Sequence, residues 1–221
     1  MMTPAQRRVQ QARAAKAAAS AEPGQPLTGS AYELMLAKLA TDTRRLREVQ
    51  SIERKIDIKR EILPEYDGWV RSAIETGKGG QDDVLTSVMI WHIDVGQHDQ
   101  ALDIAEYVLE HGLTLPDQYE RDVQTALVDE IAEACLADQR QGQPVNVPML
   151  ARLVNMTADL DMPDPARAKL HKAIGLALKD QGQLAEAKEN LERALQLHDA
   201  AGCKRDLAEI EKLLKKQEAQ A

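Results

Sequence analysis

No glycine or proline interrupts residues 30–63, and this stretch constrains the fold more than any other part of the chain. Ser30 opens it and Glu33 stands three residues on, the spacing of a capping box. In that motif the serine oxygen takes one unsatisfied backbone N–H and the glutamate reaches back to another. The pattern predicts one long helix, roughly 50 Å from end to end. Its apolar residues are Tyr32, Met35, Leu39, Leu46, Val49, Ile52, Ile56 and Leu63. Their spacings of three, four and seven form a single stripe. Met35, Leu39, Leu46, Val49, Ile52 and Ile56 are the candidate interface between subunits. Asp42, Glu53 and Asp57 lie along or beside the stripe, which makes it an imperfect coiled-coil seam. At about 100° per residue, Arg44, Arg47, Arg54, Lys55 and Lys59 fall on the opposite face. A solvated charged face accounts for them. So does a surface that lies along phosphates, where each neutralised charge adds salt-dependent affinity.

Charge is divided along the chain. Residues 1–60 hold 12 Lys/Arg against 6 Asp/Glu, while the remainder holds 16 against 30, for a total of −8. The first twenty residues carry no acid, and Arg7, Arg8, Arg13 and Lys16 lie there among Ala and Gln. Pro23, Gly24, Pro26 and Gly29 follow as breakers. Residues 1–29 therefore read as a mobile basic arm and linker, suited to a polyanion. A frayed terminus is the plainer account.

Ala, Leu, Gln, Glu, Lys and Arg dominate, aromatics make up 3%, Phe is absent, and no long β-branched alternation occurs. The fold class is all-α. The expected domains are the arm (1–29), the long amphipathic helix (30–63), a central helical domain (64–160) and a C-terminal helical hairpin region (161–221). Helix stops are expected at Gly77–Gly80, Gly96, Gly112 and Gly142. Gly96-Gln97-His98-Asp99-Gln100-Ala101 shares its frame with Gly182-Gln183-Leu184-Ala185-Glu186-Ala187. Around the second copy, Gly175, Leu178, Gly182, Ala187, Leu191 and Ala194 occupy the small and apolar positions of a tetratricopeptide-like pair. The copies lie too far apart for a solenoid, and ordinary antiparallel helix pairs explain them equally well.

Chemistry-bearing motifs are scarce. Gly77-Lys78-Gly79-Gly80 lacks the hydroxyl that a Walker A loop places after its lysine. His92, His98, His111, His171 and His198 show no metal-ligand spacing, and there is no CxxC. Asp82-Asp83 and Asp159-x-Asp161 suit helix ends, although clustered carboxylates also serve metal-dependent nucleases. No cofactor and no metal site is expected. Cys135 and Cys203 read as reduced thiols of a cytoplasmic protein. No apolar run approaches a membrane span, and no signal peptide is visible.

Three stretches together carry a resemblance. They are Tyr32-Glu33-Leu34-Met35-Leu36-Ala37-Lys38-Leu39; Gly77-Lys78-Gly79-Gly80-Gln81-Asp82-Asp83 continuing to Gly112-Leu113-Thr114-Leu115-Pro116; and Met162-Pro163-Asp164-Pro165-Ala166-Arg167-Ala168-Lys169-Leu170-His171-Lys172. In this order they resemble the small terminase subunit of temperate contractile-tailed phages, a DNA-packaging family. The resemblance implies a non-catalytic recognition subunit. Such a subunit binds double-stranded viral DNA, assembles as a homo-oligomeric ring and recruits the large subunit, which carries the ATPase and endonuclease. It implies action in the host bacterial cytoplasm. On that reading Arg7, Arg8, Arg13, Lys16, Arg44, Arg47, Arg54, Lys55 and Lys59 contact DNA, and about 164–217 dock the large subunit or organise the ring. Two competing readings stand beside it: a tetratricopeptide-like adaptor that binds a protein without DNA, and a nuclease using Asp82 and Asp83.

Overall fold

The computed structural model describes residues 4–19, 22–116 and 120–219. Eleven α-helices run through it: α1 (Pro4–Ala18), α2 (Ser30–Arg47), α3 (Ile52–Ile62), α4 (Asp67–Thr76), α5 (Asp83–Asp94), α6 (His98–Glu110), α7 (Val123–Arg140), α8 (Val147–Met156), α9 (Asp164–Asp180), α10 (Leu184–Leu197) and α11 (Lys204–Glu218). No β-strand occurs among the described residues, in keeping with the expected all-α class. The chain divides into two compact units, residues 1–123 and 124–221. The boundary falls inside the expected 64–160 domain.

In the first unit α5 is the central element. Every residue from Val84 to Ile93 is buried, including Thr86, Ser87 and His92. The expected single helix over 30–63 is instead a hairpin, because the chain breaks after Glu48 and restarts at Ser51. The Ser51 hydroxyl accepts the Arg54 N–H (3.2 Å) and caps α3. Arg45 of α2 meets Glu61 of α3 (2.9 Å), and Lys38, paired within α2 to Asp42 (2.7 Å), also meets Glu65 just beyond α3 (3.0 Å). The Tyr66 hydroxyl donates to buried Asp42 (2.7 Å). Asp42, which interrupted the apolar stripe, is thus a tertiary contact. The expected capping box does not form. Gly29 is the N-cap of α2, and its carbonyl accepts the Glu33 N–H.

The segment expected to be a mobile arm contains a helix with a seat. Ala14, Ala17 and Ala18 of α1 are buried, and the Thr76 hydroxyl at the end of α4 lies 3.3 Å from Ala15 O. Small alanines let the two helices approach closely. The linker is stitched down as well. Gly24 N–H donates to Gly79 O (3.0 Å), Leu27 N–H to Gln81 O (3.1 Å) and Gln81 N–H to Gln25 O (2.8 Å).

The repeated Gly-Gln frame turns out to be one helix stop followed by one helix start. At Gly96 (φ 80°) and Gly182 (φ 77°) the backbone takes the left-handed conformation that glycine tolerates best. Gln97 N–H then closes onto His92 O and Gln183 N–H onto Leu178 O (2.9 Å each).

In the second unit α9 and α10 pack as a close antiparallel pair. A Cβ at Gly175 would lie 2.6 Å from Leu191 Cδ2, and Ala187, Leu191 and Ala194 are fully buried. Nothing further marks this pair as tetratricopeptide. Lys169 bridges α9 to Asp129 of α7 (3.1 Å), and Lys179 bridges it to Asp206 (3.1 Å) and Glu209 (2.6 Å) of α11.

Candidate functional site

A groove of about 350 Å³ opens between α2, α3 and α5 in the first unit. Thr43 and Arg47 come from the last turns of α2, Lys55 and Lys59 from α3, and Ser87 and Trp91 from α5, with Leu46 as an apolar wall. The hairpin break creates it, since a straight helix over 30–63 would hold Arg47 and Lys55 about 12 Å apart along its axis.

The nine expected DNA contacts are sorted by this geometry. Arg47, Lys55 and Lys59 come together at the groove. Arg44 and Arg54 are exposed on the same hairpin. Lys59 is half-buried and paired with Asp94, so it is not the free cation that helical geometry predicted. Arg44, Arg47, Arg54 and Lys55 have no acidic partner among the described residues. Arg44 and Arg47 complement the negative end of the α2 dipole, which by itself would explain them. Arg54 and Lys55 do the opposite. They crowd the positive first turn of α3, where a cation is locally unfavourable. Helix stability gives no reason for them. Arg8, Arg13 and Lys16 are exposed on α1. The Arg7 side chain lies outside the described residues.

The expected subunit interface is partly consumed inside the chain. Met35 and Leu46 are buried in the protomer's own core. Leu39, Val49 and Ile56 are half-buried, and Ile52 is 75% exposed. Leu34, outside the predicted stripe, is 62% exposed.

The Gly-Lys-Gly-Gly-Gln-Asp-Asp segment organises the first unit. Asp82 is 1% exposed. Its Oδ1 accepts the N–H groups of Val84 and Leu85 (3.0 Å each), capping α5, and its Oδ2 accepts Trp69 Nε1–H (2.8 Å). Burial pushes its pKa from 3.8 up to about 6, against the lowering effect of those hydrogen bonds. Asp83 N–H donates to the Tyr32 hydroxyl (3.0 Å), and Tyr32 stacks on Trp69. Gln81 exchanges hydrogen bonds with the Thr114 backbone (2.9 Å each). Gly79 N–H donates to Tyr107 Oη (2.8 Å), and a Cβ at Gly77 would sit 2.2 Å from that same oxygen. The Asp82 carboxylate is therefore committed to capping, the helix-end role expected of it, and to Trp69, which speaks against the competing nuclease reading. Among the described residues, no three His, Cys, Asp or Glu side chains are grouped to hold a metal.

Sequence reasoning missed Thr43, Ser87 and Trp91 as groove residues. The signal for Ser87 was a hydroxyl in a helix whose middle is mostly apolar, a signal it shares with Thr86. Nothing in the sequence announced the other two.

The family described as phage small terminase subunit matches residues 36–165. "Terminase, endonuclease subunit" of Escherichia phage P2 is 42% identical over 97% of this chain and 87% of that protein. "Probable terminase, endonuclease subunit" of Haemophilus phage HP1 is 24% identical over 80% of this chain and 68% of its own length. No solved structure matches.

Proposed function

The chain belongs to the phage small terminase subunit family, and from that membership in a genome-packaging family we propose that it recognises double-stranded viral DNA through the α2–α3 hairpin. One observation carries this reading. Four cations without acidic partners among the described residues, Arg44, Arg47, Arg54 and Lys55, gather at one hairpin end, two of them against the local helix dipole. Residues 61–123 of the same unit hold 3 Lys/Arg against 14 Asp/Glu, so a polyanion is attracted to the hairpin and to the exposed Arg8, Arg13 and Lys16 of α1 rather than to the rest of the unit. Subunits assemble into a ring in this reading, with Leu34, Leu39, Val49, Ile52 and Ile56 as the apolar surface left for contact. The ring repeats each cationic patch by symmetry. The ring recruits the large terminase subunit, and residues 164–217 are its dock. The setting is the host bacterial cytoplasm; no described helix is long and apolar enough to cross a membrane.

The relatives' names favour a second reading, endonuclease activity in this subunit. One experiment separates the two. The purified protein is mixed with viral duplex at graded salt and with Mg²⁺ present, and both retention and cleavage are scored. Recognition predicts retention that falls steeply with salt and leaves the duplex intact. Charge reversal at Arg44, Arg47 and Lys55 should then weaken binding more than tenfold, the size of change that loss of several phosphate contacts produces. Cleavage of the duplex would establish the second reading. Unchanged affinity in the variant would move the DNA site off the hairpin.

A further inference from the structure

We propose that the groove between α2, α3 and α5 seats one sugar–phosphate unit of the duplex backbone. This rests on the DNA-recognition reading and gives it an atomic site. Four hydrogen-bond donors from three helices line the groove: the Thr43 hydroxyl, the Arg47 guanidinium, the Lys55 ammonium and the Ser87 hydroxyl. None of them donates to any described residue. Ser87 is the telling member. It is 3% exposed, yet it does not bond back to its own helix as its neighbours do. Ser72 donates to Gly68 O, Thr76 to Ser72 O and Thr86 to Asp82 O. The Ser87 hydroxyl is free to donate into the groove, a space bordered by cations. A phosphate oxygen satisfies it.

The charge balance suits one phosphodiester. Arg47 and Lys55 are uncompensated, while Lys59 is balanced by Asp94. That pair holds the Lys59 ammonium at the groove, where it adds a donor and little net charge. The space is larger than a bare ion requires and lies at the small end of ligand sites, so it takes phosphate with its attached sugar. Leu46 and Trp91 supply apolar wall for the sugar. Base recognition is not built in. Trp91 is 5% exposed and its ring is engaged edge-to-face by Tyr66 (5.7 Å), leaving no open face for a base to stack on. The seat therefore positions the duplex and is indifferent to sequence.

The test measures duplex affinity against salt for the wild type, Lys55→Gln, Arg47→Gln, Thr43→Val and Ser87→Ala. Each cation variant should lower the salt slope by about 1, equally on duplexes of unrelated sequence. Each hydroxyl variant should weaken binding about two- to tenfold with the slope unchanged. Thr43 is half-buried on α2, so Thr43→Val answers the question even if Ser87→Ala disturbs α5, and melting curves identify that case. Wild-type affinity in all four variants, with Arg44→Glu and Arg54→Glu still losing DNA, overturns the seat and keeps the DNA reading. Absence of duplex binding by the wild type overturns both. Saturable binding of ATP that the groove variants abolish, with duplex binding untouched, overturns the seat in favour of a free nucleotide.

Discussion

Residues 1–123 hold every aromatic side chain of this protein, and residues 124–221 hold none. Two ways of specifying a helical fold follow. In the first unit the described aromatics share one core, and the polar atoms of Tyr32, Tyr66, Trp69 and Tyr107 are each tied to a named partner. Those ties fix which loop meets which helix, because a buried hydroxyl or indole N–H without its partner costs about as much as a lost hydrogen bond returns. The second unit packs Ala, Leu and Gly at close approach, and its charged links between helices, such as Lys179 to Asp206 and Glu209, lie partly exposed where ion pairs are worth little. Its fold rests more on shape, with a few part-buried ties such as His171 to Asn190 (3.0 Å) and Gln139 to Ala173 O (2.9 Å). The first unit also separates its charges, with cations on α1 and the hairpin and acids over residues 61–123, whereas the second carries 13 Lys/Arg against 16 Asp/Glu. A unit ordered by polar ties can hold unspent cations at one place, which shape-based packing of near-neutral helices does not require.

The strongest challenge to this contrast is Asp82→Ala. It removes both cap bonds of α5 and leaves Trp69 Nε1–H unpaired in the core. The cost should be about 2–5 kcal/mol at the first unit. Hydrogen exchange should accelerate over 83–93 and stay unchanged over 124–221. Uniform acceleration through both units would erase the distinction.

A somewhat smaller effect is expected from pH. Burial raises the Asp82 pKa from 3.8 to about 6, so the folded chain keeps a proton that the unfolded chain releases near pH 4. The contribution of this carboxyl is full below about pH 4 and declines as pH rises to about 6. The stability gap between the wild type and Asp82→Ala should therefore narrow over that window by on the order of 3 kcal/mol. Denaturant titrations at pH 4 and 7 measure it. A gap that widens with pH would mean the charged cap outweighs burial.

The smallest change probes the second unit. Gly175→Val drives new atoms into Leu191 and should cost about 1–3 kcal/mol by overpacking. Restoring room with Leu191→Ala in the same chain should recover part of it. No recovery would show that shape complementarity is not what holds α9 to α10.

Local rules carried the sequence a long way. The stops at Gly96, Gly112 and Gly142 and the start at Asp82 depend only on neighbouring residues, as does the cap of α8, where Asn146 accepts the Met149 N–H (3.1 Å). The nine candidate cations were named by charge and, for the five on the predicted long helix, by helical face, and all but Arg7 can be placed, with Lys59 the one found already paired. The hairpin break was not legible. Nothing between Glu48 and Ser51 is a strong helix breaker, and Ser51 ahead of Ile52-Glu53 is a weak cap signal. The break is favoured by contacts distant in sequence, Asp42 with Tyr66 and Arg45 with Glu61.

The sequence by itself determined an all-helical chain, where most helices begin and end, and which end carries the positive charge, because each of these depends on residues within a turn or two of one another. Only the tertiary structure decided that the predicted long helix folds back, that the basic arm includes a helix seated on α4, and that Thr43, Arg47, Lys55 and Ser87 converge on one groove. Convergence of residues 44 positions apart is set by burial of α5 and by the Asp42–Tyr66 bond that ties α2 to the chain beyond α3, interactions whose partners no local pattern names.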